Sequence, residues 1–450
     1  MARVPRVIFL HPDLGLGGAE RLIVDAACAL QDHGFDVVIV TAHHDPTRSF
    51  DETNSRLVVK VAGDWIPRHV GGKFHLVCAL LRTSCAAMVH IIRPLLERGE
   101  TPDVIIVDQI AQVLPLVKAL TFVPTLFYCH YPDKLLAPRT GSMARRAYRR
   151  VLDGLEECTT GLADSCLVNS RFTESVFRQV FTGLATMPLT VLNPCVDLKA
   201  LRVAANVDAF AQLPPNLRYA LGLNQRCVFL SINRFERKKG VEVAIEAAKL
   251  VDGMLLVVAG GYDPRVQENC DYKDELFRLA VRLGIQDRVF FVTSVSHEVK
   301  AFLLDLCVAL VYTPQNEHFG IVPLEAAAAR RPVIACDSGG PRETVVSGRT
   351  GFLVQPTPTG FAEAMRKFMG REGTQRARLF GEEARKHVEG RFSREQFGDE
   401  LDRIVRRLVR PQPWPSPSTR ARLVAACAVA AACALALWLA LCIVQLLVRW

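Results

Sequence analysis

Two glutamates eight residues apart, Glu317 and Glu325, lie in the segment Gln315-Asn316-Glu317-His318-Phe319-Gly320-Ile321-Val322-Pro323-Leu324-Glu325. The spacing predicts Glu317 in a loop and Glu325 inside the helix that the loop opens, so the two cannot pair on one helical face. A loop carboxylate can accept hydrogen bonds from sugar hydroxyls while a helical one takes a ribose diol. Amides near Phe319, Gly320 and Ile321, at the helix N-terminus, would then face a phosphate. A capping glutamate and a surface glutamate would explain the same pair without a ligand. A second cluster, SINRFERKKG, sets Arg234 just past an apolar run and Lys239 just before the next helix, near enough to hold one diphosphate. Fixed cations there stabilise the charge that develops on a departing nucleoside diphosphate. The competing reading is a solvated basic turn.

A third candidate is GLGGAE, Gly15 to Glu20, between an apolar run and a helix, where glycines let backbone amides approach an anion. It departs from the dinucleotide fingerprint G-x-G-x-x-G, and no matching acidic ribose ligand is evident, so a dehydrogenase is poorly supported.

The elements that must position these residues are apolar runs alternating with helical periodicity. Val7 to Leu10, Asp36 to Thr41, Val104 to Val107, Thr125 to Cys129 and Ser165 to Val168 read as strands of a first α/β domain. After the Pro-marked stretch Thr190 to Asp197 the alternation restarts at Cys227 to Ile232, Leu255 to Ala259, Val289 to Val292, Val308 to Tyr312 and Val333 to Cys336. Doubly wound sheets bind ligands beyond the carboxyl ends of their strands. His11 to Gly18, Asp108, His130, Arg234, Gly260, Gly261 and Glu317 all fall at such ends, as if two domains presented polar edges to one cleft.

With 450 residues, half of them hydrophobic, the chain can bury two cores of ordinary size. The expected boundaries are 1–190 for an acceptor-side domain and 191–410 for a nucleotide-sugar-binding domain with a return helix. A Pro/Ser linker over 411–422 and a transmembrane helix over 423–448 would follow. Leu423 to Val448 has Gln445 as its only strongly polar residue and is long enough to span a bilayer. Arg403, Arg406, Arg407, Arg410, Arg420 and Arg422 precede it and only Arg449 follows, which places the larger N-terminal part in the cytosol. A hydrophobic helix docked on the globular body is the alternative. The net charge of +9 suits an anionic membrane better than nucleic acid, because no base-stacking aromatic pattern accompanies the basic residues. The fourteen cysteines are scattered without metal-type spacing, as expected of reduced thiols. Phe74 to Leu96 carries an apolar helical stripe that fits either a helix packed on the first sheet or one lying at a bilayer surface. Arg145, Arg146, Arg149 and Arg150 form a basic run that could meet lipid headgroups or an acceptor diphosphate, or simply be a solvated face.

Together, GGAE after the first strand, His130 after another, the Arg234 and Lys239 pair, and the two spaced glutamates followed by SGGPRETV resemble retaining glycosyltransferases of the GT-B fold, family four, from Arg6 to about Arg410. HPDLGLGGAERLIVDAA, YCHYPDKLLA, SINRFERKKG and GYDPRVQENCDYKDEL are similar, more narrowly, to the mannosyltransferases that extend dolichol-linked oligosaccharide at the endoplasmic reticulum. The resemblance implies two Rossmann-like domains, GDP-mannose as donor, and a mannosyl-chitobiosyl-diphosphodolichol acceptor that receives α-1,3 and then α-1,6 mannose on the cytosolic face. Other transferases of that pathway are candidate partners. It implies Gly17 and Gly18 at the donor phosphate and acceptor side, Arg234 and Lys239 on the diphosphate, Glu317 on the mannose, Glu325 on the ribose and His130 near the reacting sugar. It also implies front-face departure, with the leaving phosphate taking the proton of the incoming hydroxyl; Glu317 as covalent nucleophile is the alternative mechanism. No Asp-x-Asp occurs in the chain, so no metal cofactor is expected, the two cations serving in its place. A transferase for another nucleotide sugar and lipid, or a catalytically idle nucleotide-sugar-binding scaffold, are the alternatives in function.

Overall fold

The computed structural model describes residues 3–136, 143–198, 207–222 and 227–409. The expected linker and membrane span, 411–422 and 423–448, lie outside the described residues. Among the described residues two compact units emerge, one comprising the chain up to Asn193 together with 397–409, the other Pro194–Gln396.

The first unit is built on seven parallel strands: β1 (Arg6–His11), β2 (Asp36–Thr41), β3 (Val58–Val61), β4 (Val104–Asp108), β5 (Thr125–Cys129), β6 (Ser165–Val168) and β7 (Leu189–Val191), in the order β3-β2-β1-β4-β5-β6-β7. The second holds six: β8 (Cys227–Ile232), β9 (Met254–Gly260), β10 (Val289–Thr293), β11 (Ala309–Tyr312), β12 (Val333–Cys336) and β13 (Gly351–Val354), in the order β10-β9-β8-β11-β12-β13. Each order reverses once, between β1 and β4 in one sheet and between β8 and β11 in the other. At such a reversal the flanking connections leave toward opposite faces, and a crevice opens beyond the carboxyl ends of the two strands.

Strands buried on both faces need apolar residues at every position. Along β8, Phe229 packs with Leu256, Val258 and Val311, while its neighbours Val228, Leu230 and Ile232 pack with Leu255, Val257 and Leu310. Each such side chain, fully withdrawn from water, contributes roughly 1.5–3 kcal/mol. The edge strands are less apolar; in β3 only Val59 is even half-buried.

The stretch from His75 to Arg98 is one long apolar helix, with a π-turn over Met88–Ile92. Ala86, Ala87 and Ile91 face the first sheet and pack with Ile8, Leu10 and Val38. Arg82 is buried on the same helix because Asp13 and Asp64 receive its guanidinium at 2.8 and 3.1 Å. Met88, Val89 and Leu96 point outward. The last described helix, Arg394–Val409, runs against the first unit: Asp399 pairs with His33 at 3.0 Å, Arg406 donates to the His33 carbonyl at 3.0 Å and stacks over Phe35. Gly398 permits this approach, since a Cβ there would lie 3.2 Å from the Ala29 methyl. Among the described residues no disulfide forms, and burial pushes the thiols of Cys166, Cys307 and Cys336 up to about 12, which keeps them inert.

Candidate active site

In the second unit the crevice at the β8/β11 reversal gathers the sequence-predicted cations and carboxylates. β8 ends at Ile232, and Asn233 then runs so close to the end of β9 that a Cβ at Gly260 would lie 1.9 Å from the Asn233 carbonyl oxygen. Gly260 has φ +149° and only glycine fits. Arg234 follows, its guanidinium largely exposed and 3.0 Å from Glu236. Lys239 closes a single 3-10 turn, Arg237–Lys239, before Gly240 at φ +60° starts the helix Val241–Lys249. Thr313, just past β11, donates its hydroxyl to the Lys239 carbonyl at 2.8 Å and so ties the two strand ends together.

Lys239 reaches across this crevice to Glu317, Nζ to Oε2 at 2.6 Å, both side chains partly buried. Tyr312, the last residue of β11, is buried beside the same carboxylate; burial first, then that neighbouring charge, holds its phenol well above the usual range. The backbone under Glu317 is fixed from below. The Gly340 amide donates to the Glu317 carbonyl at 2.8 Å, and the Asn316 amide donates to the Ser338 hydroxyl at 3.0 Å. A Cβ on Gly340 would lie 2.2 Å from Phe319 Cα, and one on Gly339, at φ +64°, 2.5 Å from the Glu317 carbonyl oxygen. SGGPRETV is therefore the bed on which the glutamate loop rests.

Gly320, at φ +87°, caps the helix Ile321–Ala328, packed against the ring of Tyr312. The Phe319 side chain is a core group, buried with Leu324 and Phe392, so only its main chain is available to a ligand. Glu325 sits in this helix and pairs with Lys300 of the helix His297–Leu306, Oε1 to Nζ at 2.7 Å. Arg234, Lys239, Glu317, Phe319, Gly320, Ile321 and Glu325 thus share one unit, each carboxylate already partnered by a lysine. Lys300 and Tyr312 carry no motif that names them, though Tyr312 left a trace as the polar end of an apolar run; Ser338 opens the SGGPRETV motif, which had no role of its own in the sequence.

In the first unit the β1/β4 reversal brings three polar strand ends together. His11 Nδ1 lies 2.7 Å from Asp108 Oδ2, and His130 Nε2 lies 2.7 Å from Asp108 Oδ1. Burial alone would raise the Asp108 pKa, but the two imidazoles outweigh it and hold the carboxyl at about 2. Gln109, next in the chain, takes φ +63°, a left-handed conformation that costs a non-glycine residue about 1–2 kcal/mol. Gly17 precedes the helix Gly18–Asp32 in extended conformation, and a Cβ there would collide with the Glu20 carboxylate, while one on Gly18 would meet open space.

The loop after His130 is held by Asn169, which donates to the His130 carbonyl at 2.9 Å, and by Glu156, which accepts from the amides of Asp133 and Lys134 at 2.6 and 3.0 Å. In the basic run, Arg149 pairs with Asp133 and Asp153, whereas Arg146 and Arg150 are exposed. Burial, outweighing the two amides, pushes the Glu156 carboxyl up to about 7. A carboxyl raised from 4.5 on folding binds its proton more tightly in the native state, so stability is lost as pH rises between those values. Relative to Glu156→Gln, which cannot ionise, wild type is expected to lose about 3 kcal/mol between pH 4.5 and 7. Denaturant titrations of both proteins at pH 5 and pH 8 check this; a pH-independent difference would show an ordinary carboxyl.

The family description "Glycosyl transferases group 1" matches residues 216–387, and "Glycosyltransferase Family 4" matches residues 16–200. The chain is 41% identical over 419 residues to alpha-1,3/1,6-mannosyltransferase ALG2 of Dictyostelium discoideum, covering 89% of this chain and 98% of that one. It is 42% identical over 418 residues to the Homo sapiens protein of the same name, covering 90% and 96%. Among solved structures, sucrose-phosphate synthase of Thermosynechococcus elongatus superposes with a TM-score of 0.72 at 22% identity, over 90% of this chain and 99% of that one. That likeness shows the two-domain GT-B fold.

Proposed function

This chain belongs to the alpha-1,3/1,6-mannosyltransferases of glycosyltransferase family 4, and from that membership we propose that it transfers mannose from GDP-mannose, with retention, to a dolichol-diphosphate-linked oligosaccharide. The observation that carries this reading is the Lys239–Glu317–Tyr312 constellation at the carboxyl ends of β8 and β11, where a doubly wound sheet binds its ligand.

Lys239 and Arg234 neutralise the diphosphate as the bond to the anomeric carbon breaks, and the low local dielectric around the half-buried Lys239 strengthens that effect. Glu317, oriented by Lys239 and Tyr312, accepts hydrogen bonds from mannose hydroxyls. Glu325, held by Lys300, takes the ribose diol. His130 hydrogen-bonds near the reacting sugar, and the glycines at Gly17 and Gly18 leave room at the phosphate and acceptor side. The departing phosphate receives the proton of the incoming hydroxyl on the same face, which returns mannose in its original configuration. With no Asp-x-Asp in the chain, the two cations do what a divalent ion would do elsewhere.

The acceptor is a lipid, and Leu423 to Val448 anchors the enzyme in the endoplasmic reticulum membrane with its globular units in the cytosol. The test is incubation of purified full-length protein with GDP-mannose and a short-chain mannosyl-chitobiosyl-diphosphate lipid in detergent, with linkage analysis of the products. One and then two mannoses, α-1,3 and α-1,6 linked, are expected, with unchanged rate in EDTA. Transfer from a UDP-sugar in place of GDP-mannose would overturn the donor assignment. Loss of activity in EDTA that magnesium restores would overturn metal independence.

A further inference from the structure

His11, Asp108 and His130 come from three strand ends that lie side by side in the first sheet, β1, β4 and β5. Asp108 has no water to share: it is 1% exposed, and each of its oxygens faces one imidazole at 2.7 Å. His130 Nε2 and Asp108 Oδ1 are both buried and 2.7 Å apart, a close contact that falls short of aligned hydrogen-bond geometry, and neither atom has a hydrogen-bond partner among the described residues. His11 is fully buried, its second nitrogen 3.1 Å from the Asp13 carbonyl, so both of its nitrogens are used inside the protein. His130 alone reaches solvent, with about a fifth of its side chain exposed.

We propose that Asp108 and His11 are positioning residues for His130: the Asp108 carboxylate accepts from the Nε2–H and fixes the ring, so that Nδ1 is presented outward as a hydrogen-bond acceptor for a sugar hydroxyl. This rests on the placement of His130 at the reacting sugar and deepens it by assigning the tautomer and what holds it. A neutral imidazole carries one proton, and it resides on the nitrogen next to the carboxylate. The other nitrogen then offers its lone pair. His11 completes the device by a second charge-assisted contact, which stops Asp108 from swinging toward solvent. Burial lowers the His11 pKa, but the hydrogen bond and charge of Asp108 outweigh it and raise the value overall, so the buried pair keeps its proton and Asp108 its charge. The crevice position supports the assignment independently, because β1 and β4 flank the point where the strand order reverses.

The experiment is steady-state kinetics of the full-length enzyme in detergent with GDP-mannose and the short-chain acceptor. Asp108→Asn, His130→Ala and their double variant are compared with wild type, and each is checked by its melting temperature. Asp108→Asn is expected to lower kcat about 10²-fold with the KM for GDP-mannose within about threefold. In the His130→Ala background the same change is expected to cost less than about twofold, since the residue it positions is gone. A full further loss in that background, or a KM effect at constant kcat, would overturn the proposal. If His130→Ala keeps wild-type kcat, the placement of His130 itself fails, while mannosyl transfer measured in the same assay stands. Should Asp108→Asn not fold, His11→Gln carries the test: a kcat loss of about 10-fold, absent in the His130→Ala background, supports the proposal, and an unchanged kcat overturns it.

Discussion

Lys239→Met lowers kcat for mannosyl transfer by about 10³-fold, while Lys239→Arg retains part of the rate. Methionine keeps the stem and removes the charge, so the loss reports the cation and not the packing. Lys239 is held for this task from both ends, its carbonyl by Thr313 at 2.8 Å and its ammonium by Glu317 at 2.6 Å. In the free enzyme that ammonium neutralises Glu317; on the function proposed above, with donor bound it would face the diphosphate, whose charge grows as the sugar leaves. An interaction that strengthens toward the transition state appears in kcat more than in KM. Stability responds less, by about 2 kcal/mol, because Glu317 keeps Tyr312 beside it and is not deeply buried. Initial rates over a range of GDP-mannose concentration, with a melting curve for each variant, decide it. Wild-type kcat in Lys239→Met would sink the role given to this cation.

Gly340→Ala is expected to lower kcat/KM about 10²-fold by displacing the main chain of the glutamate loop. The new methyl would lie 2.2 Å from both Cα and the carbonyl oxygen of Phe319, main-chain atoms that cannot turn aside as a side chain does. The glutamate loop must move, and with it the Gly340 amide to Glu317 carbonyl bond of 2.8 Å. Overpacking of this kind costs about 1–3 kcal/mol, or a fall in Tm of about 5 °C. The effect on catalysis exceeds that, because a displacement of about 1 Å takes Glu317 away from Lys239 and Tyr312 together. Thermal unfolding and kinetics of this one variant check both parts. Unaltered kinetics would show that the bed under Glu317 does not set its position.

Much of the fold was legible because a strand buried on both faces is written as an unbroken apolar run. β1, β2, β4, β5, β6, β8, β9, β10, β11 and β12 all have such a run. The strands that escaped, β3, β7 and β13, all lie at sheet edges. β3 is mostly exposed, β7 has three residues, and β13 begins with glycine, so none needs the apolar density that marks a central strand. Polar residues at strand ends were legible for a related reason: a carboxyl end is where an apolar run stops, and Asp108, His130 and Arg234 each stand at or just past one.

The sequence by itself singled out Glu317, Glu325, Arg234 and Lys239 from type and spacing as candidates at strand ends. Only the tertiary structure decided their partners. Lys300 comes to Glu325 from 25 residues away, Lys239 to Glu317 from 78, and His11 to Asp108 from 97. Local periodicity reports which face of an element is buried, never which strand lies beside it. The order of strands in the sheet makes that choice, and here it sets β1 beside β4 and β8 beside β11, where the buried charges meet.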